Sequence, residues 1–216
     1  MSEHHVVPEL TPAIRGLYSA FRRRGAAPRV VGCWCCTSPH EFDHLARTPL
    51  QHLSAKQLDR YARKAITTVG TVEDFRYFLP RIVEAAVGGD LLVDREVVFG
   101  KLRRGNWRGW PLHEQEAVET FARAVAGTFA SIEYEPGELD EWVCSLGQFV
   151  DDLRVFLEPL LSGTAVAKVN LLSLREHNAD ATDPLELSNA FWEQAPENAS
   201  IFTVWLQTPT VRWAAG

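Results

Sequence analysis

Apolar residues recur along the chain at the three- and four-residue spacing of helices, and the polar residues between them fall where helices start and stop. Thr11 caps and Pro12 suits the first turn of a helix predicted to run to Gly25, with Ile14, Leu17, Tyr18 and Phe21 on one face. Ser38-Pro39-His40-Glu41 has the form of a capping box opening a short helix that Pro49 ends. Ser54 with Gln57 repeats the start signal ahead of a stripe made by Leu58, Tyr61, Ala62, Ala65 and Ile66. Thr71 with Asp74 opens a helix carrying Phe75, Phe78 and Leu79, in which Pro80 is expected to force a kink or a break.

The second half continues in the same way. Asp94 to Arg104 reads as a helix closed by Gly105-Asn106, with Leu91-Leu92-Val93 before it as a short extended piece or flank. Pro111 opens the longest pattern, in which Val118, Phe121, Ala122, Val125 and Phe129 share one side, and Glu135-Pro136-Gly137 breaks it. Further helices are predicted around Leu139–Leu146, Leu153–Leu161 and Thr164–His177, then a polar loop over 178–184, then two short aromatic helices around Phe191-Trp192 and Ile201–Leu206. Only Arg29-Val30-Val31 and Val97-Val98-Phe99 have the β-branched character of strands, and both are short. The expected fold is all-α: an irregular stack of antiparallel helical hairpins, which can wind into a short α–α superhelix. No fixed repeat period is present. The expected organisation is one helical domain over residues 1–216 with a soft boundary near 105–110.

Composition leaves this picture standing. The 216 residues are 46% hydrophobic and 23% charged, ordinary values for a chain that buries a core of its own. No apolar run is long enough to span a bilayer, so no membrane partner is expected. Met1-Ser2-Glu3-His4-His5 has neither the basic flank nor the apolar core of a signal peptide, which points to the cytoplasm and to four cysteines kept reduced.

Charge adds more. The net −6 conceals two unlike halves: residues 1–108 hold 17 Lys and Arg against 11 Asp and Glu, and residues 109–216 hold 5 against 17. Arg22, Arg23, Arg24 and Arg29 form one basic cluster, and Arg95, Lys101, Arg103, Arg104 and Arg108 another. An acidic protein with no general basic surface argues against nucleic acid as a partner. Glu133, Glu135, Glu138, Asp140, Glu141, Asp151, Asp152 and Glu158, balanced only by Arg154, make an acidic stretch suited to attracting a basic protein. The alternative is that the two halves neutralise each other or are ordinary solvated faces.

Two constellations carry candidate chemistry. Cys33, Cys35 and Cys36, followed by His40 and His44 at i, i+4 spacing, contain a C-x-x-C pair. From this set Cys33, Cys36, His40 and His44 offer four ligands to zinc, and the dithiol offers redox chemistry. All of these residues are local, whereas structural zinc sites draw ligands from two separated elements. That favours reading the cysteines as small buried hydrophobes, with no cofactor expected. The turn Gly105-Asn106-Trp107-Arg108-Gly109-Trp110-Pro111 puts Trp107 and Trp110 around Arg108, the composition of interface hot spots; the alternative is indoles plugging helix junctions. No G-x-S-x-G elbow, H-E-x-x-H or phosphate-binding glycine loop occurs, so no catalytic residue is assigned and a non-enzymatic role is favoured.

Several blocks together resemble a known family: Cys33-x-Cys35-Cys36-Thr37-Ser38-Pro39, Arg47-Thr48-Pro49-Leu50, Asp74 to Arg81, and Lys101-Leu102 with Trp107, Trp110-Pro111 and Glu114. They resemble a functionally uncharacterised family of bacterial cytosolic proteins, over roughly residues 30–130, and the resemblance implies an all-helical fold. Size, acidity and helical make-up also resemble those of immunity or inhibitor proteins that neutralise a toxin, an analogy of type rather than of motif. The functional expectation is therefore a helical protein that binds a basic toxin or enzyme, with a zinc- or thiol-dependent role for the cysteine–histidine cluster as the alternative.

Overall fold

A computed structural model of the chain describes residues 8–23, 27–33, 35, 37, 38, 40–135 and 137–214, the last three of these through their backbone alone. The protein is all-α. Its α-helices among the described residues are α1 (Thr11–Ala20), α2 (Asp43–Arg47), α3 (Ala55–Lys64), α4 (Val72–Val87), α5 (Arg95–Arg104), α6 (Leu112–Thr128), α7 (Glu138–Gly147), α8 (Arg154–Leu157), α9 (Ala165–His177), α10 (Pro196–Leu206) and α11 (Pro209–Ala214). Single turns of 3₁₀ helix fill several of the connections. The chain forms two compact units, Met1–Phe121 and Ala122–Gly216, which meet within α6.

In the first unit α4 is the central rod, packed against α1, α3 and α5. Phe75, Phe78, Leu79, Ile82 and Val83 are among its buried side chains. It starts as the sequence predicts: the Thr71 side chain accepts from Asp74 N while the Asp74 carboxylate accepts from Thr71 N. The break expected at Pro80 does not occur, and α4 continues to Val87. A proline inside a helix costs about 3 kcal/mol, whereas each large apolar side chain buried around it contributes about 1.5–3 kcal/mol, so packing outweighs the missing donor.

Helix α3 also begins with its predicted capping box at Ser54 and Gln57 but stops at Lys64, short of Ile66. The amides of Thr67, Thr68 and Val69 and the Thr67 hydroxyl all converge on the Lys64 carbonyl, and Ile66 takes the left-handed conformation at φ 53°. At 38–41 only half of the expected box forms, Ser38 N donating to Glu41 Oε2, and α2 begins later, at Asp43. Helix α1 ends at Ala20; the stop predicted at Gly25 lies outside the described residues. Val97-Val98-Phe99 lies inside α5, and the 29–31 segment gives way to an isolated bridge between Gly32 and Val69.

The second unit is held by polar side chains as well as by its aromatic core. Three buried asparagines each join a donor and acceptors from separate turns. Asn170 Nδ2 donates to the carbonyls of Phe129 and Ile132, and its Oδ1 accepts from Tyr134 N. Asn178 Nδ2 donates to Asp140 and to the Leu174 carbonyl, and its Oδ1 accepts from Ser188 N. Asn198 donates to the carbonyls of Gly147 and Val150 and accepts from Leu153 N. Beside Asn198, the Trp192, Phe202 and Trp205 rings stack in series.

Candidate functional site

The tryptophan turn is built from the end of α5. Gly105 closes the helix, Asn106 takes the left-handed conformation, and one 3₁₀ turn over Trp107–Gly109 leads to Trp110. Both indoles are in the core of the first unit: Trp107 is 2% exposed and Trp110 7%. Trp110 donates Nε1–H to the Gly105 carbonyl at 2.9 Å and packs edge-on to Phe21 and Phe75. Arg108 lies over the Trp107 ring, 3.9 Å from its centroid, and pairs with Glu119 at 3.3 Å. The expected hot spot is therefore corrected. The bulk of each indole gains more from burial than from solvent, so of Trp107, Arg108 and Trp110 only the arginine is left on the surface.

The acidic residues of the second unit divide in two. Glu133, Glu135, Glu141 and Asp151 are exposed, and Glu138 and Asp152 are half-buried. Asp152 is clasped by Arg154, whose guanidinium hydrogen bonds hold the carboxyl below its ordinary range. Asp140 does not belong to this surface. It is 2% exposed in the Asn178 and Ser188 network, with Asn178 Nδ2 at 2.8 Å, and burial raises its pKa although the surrounding hydrogen bonds oppose the rise. The first turn of α7 turns Asp140 inward while Glu141, next in sequence, faces solvent.

Glu158 of the acidic stretch is exposed, and exposed carboxylates not singled out in the sequence extend the acidic surface: Glu176, Asp180, Asp183, Glu186, Glu193 and Glu197. Counting charge over the C-terminal unit would have found them. That unit holds 5 Lys and Arg residues against 14 Asp and Glu, a formal charge of −9.

The cysteine–histidine cluster is only partly gathered. His44 Nε2 lies 3.1 Å from the Gln57 carbonyl, which can only accept, so that nitrogen carries a proton and offers no lone pair to a metal. His40 Nδ1 lies 3.1 Å from Asp43 Oδ2. Cys36 is outside the described residues. Among the described residues Cys33 Sγ lies 2.7 Å from Cys35 Sγ, a C-x-C pair; the expected C-x-x-C pairing with Cys36 lies outside the described residues. Among the described residues no three His, Cys, Asp or Glu side chains converge as a metal site.

No described helix is long and apolar enough to cross a membrane. No protein-family model, curated protein or solved structure matches the chain.

Proposed function

We propose that this is a non-enzymatic binding protein of the bacterial cytoplasm whose acidic C-terminal unit grips a basic macromolecule, in the manner of immunity or inhibitor proteins that neutralise a toxin or enzyme. The carrying observation is the formal charge of −9 on residues 122–216, with most of the carboxylates on the surface. A field of that sign speeds encounter with a cationic protein and disfavours acidic ones. It also disfavours nucleic acid, whose phosphates would meet like charge. The resemblance of the 30–130 blocks to a cytosolic helical family supports the compartment, and the burial of Trp107 and Trp110 leaves charge as the recognition element rather than an aromatic loop.

The test is a pull-down from a bacterial lysate followed by affinity measurements on the captured protein between 50 and 300 mM salt, alongside E133K/E135K. The expected result is a basic partner whose binding weakens steadily with salt and is reduced at least tenfold by the double variant, since exposed charges are screened over about 8 Å at physiological ionic strength. Affinity independent of salt, or capture of a small metabolite alone, overturns the reading.

A further inference from the structure

We propose that Cys33 and Cys35 form a reactive dithiol that exchanges with low-molecular-weight disulfides and closes into an intramolecular C-x-C disulfide. This site is separate from the acidic surface and does not depend on that surface's role.

The argument begins with the backbone that carries the thiols. The strand-like piece before them is anchored to the turn after α3: Gly70 N donates to the Val31 carbonyl and Cys33 N to the Thr68 carbonyl, each at 2.8 Å. Thr37 donates twice to the Cys33 carbonyl, from its amide at 3.0 Å and from its hydroxyl at 2.8 Å. The Thr37 side chain lies so close to Gly32 that a Cβ there would sit 2.2 Å from Thr37 Oγ1, and any larger residue would have to displace the threonine. Cys33 is thus pinned through both its N–H and its C=O, and the Cys35 sulfur lies against its own.

The result is a sulfur–sulfur approach of 2.7 Å between residues two apart, a contact that is not the roughly 2.05 Å bond of a disulfide. Cys35 is exposed and Cys33 half-buried. That division suits exchange chemistry, in which one thiol meets the incoming disulfide and its neighbour resolves the product. Cys144, fully buried in the other unit, is the internal contrast.

The reaction balances with glutathione disulfide as oxidant. The Cys35 thiolate attacks one sulfur of glutathione disulfide, forming a mixed disulfide and releasing one glutathione thiolate. The Cys33 thiolate then attacks the Cys35 sulfur, forming the Cys33–Cys35 bond and releasing the second glutathione. The protein loses two electrons and two protons, and one glutathione disulfide becomes two glutathione thiols. A bond closing so small a ring at an exposed site belongs with labile, exchangeable disulfides rather than structural ones.

The reduced full-length chain is treated with glutathione disulfide, quenched in acid, and examined by intact mass, by thiol titration in denaturant, and by disulfide mapping. The expected product has lost two hydrogen masses, its titre falls from four thiols to two, and the mapped bond joins Cys33 to Cys35. C33S and C35S each fail to close; the variant that keeps Cys35 stops one glutathione mass heavier. C36S and C144S close as the parent does, and helical circular dichroism confirms that each variant is folded. Closure that survives in C35S but is lost in C36S assigns the bond to Cys33–Cys36 and overturns the proposal. So does accumulation of glutathione adducts without closure, or absence of any reaction.

Discussion

Arg76 and Glu114 meet through two parallel hydrogen bonds, Nε to Oε2 and Nη2 to Oε1, both 2.7 Å, with side chains only 12% and 6% exposed. They tie the second turn of α4 to the first turn of α6, and the same guanidinium also pairs with Glu73 and lies 5.5 Å from the centre of the Trp110 ring. Such a pair shows its strength when one member is lost, because the survivor is left charged and poorly solvated. Glu114→Ala is expected to destabilise the protein by about 3–5 kcal/mol, and Arg76→Met with Glu114→Leu by distinctly less. Urea denaturation of the single and double variants checks this; equal losses would show that the pair is not acting as a unit.

Asn198 is expected to be among the least replaceable polar residues. It is 1% exposed and supplies three hydrogen bonds to the turn that follows α7. Asn198→Ala removes its hydrogen bonds to two buried carbonyls and an amide and should cost about 2–4 kcal/mol. Asn198→Asp should be at least as harmful, since it aims an oxygen at the carbonyls of Gly147 and Val150 where an NH2 donor stood. Thermal melts of the two variants give the ranking, and an aspartate variant more stable than the alanine one would contradict it.

Gly147, at the end of α7, is required by its neighbour and not by its backbone. A Cβ there would sit 2.4 Å from Trp192 Cζ3. Gly147→Ala, which in an open helix is stabilising, should here cost about 1–3 kcal/mol by displacing the indole. The near-ultraviolet circular dichroism of the aromatic stack should change with it. A gain in stability would mean that Trp192 yields freely.

Lys101 gives the protein a basic-side pH dependence. Its side chain is buried in the first unit with Nζ donating to the Arg63 carbonyl at 2.9 Å, and burial, helped by Arg104, lowers its pKa from 10.5 to about 8. Between about pH 8 and 10.5 the unfolded chain holds this proton and the folded chain does not, so the lysine's contribution to stability rises with pH. Tyr18 and Tyr61 work in the opposite sense: burial raises both, and what they contribute is lost above about pH 10. Stability should therefore climb from pH 8 to about 10 and then fall. Lys101→Met should flatten the climb and leave the fall, as read by urea midpoints across that range.

Local signals were legible at several helix ends where the chemistry that starts or stops a helix is contained in four or five consecutive residues, though not at Ser38, where α2 starts only at Asp43. The capping boxes at Ser54 and Thr71 and the Gly105-Asn106 stop are of this kind, because both partners of each hydrogen bond lie within one turn. Ile66 and the break offered at Pro80 were misread for complementary reasons. At Ile66 an apolar stripe continued past the point where three amides turned onto one carbonyl. At Pro80 a helix breaker was overruled by neighbours from other helices. The candidate site was legible in its charge and not in its membership. Glu133 and Glu135 lie on the surface as expected, but Asp140 satisfies a buried asparagine, and Trp107 and Trp110 serve the core.

The amino-acid sequence alone determined that the chain is helical, where most helices begin, and that acidity gathers in the C-terminal part, because side-chain periodicity, caps and charge are properties of neighbours along the chain. Only the tertiary structure decided which of two adjacent acids faces water, which thiols touch, and which indoles are hidden. Those depend on what residues distant in sequence place against each position, and burial is a free energy set by surroundings rather than by residue type.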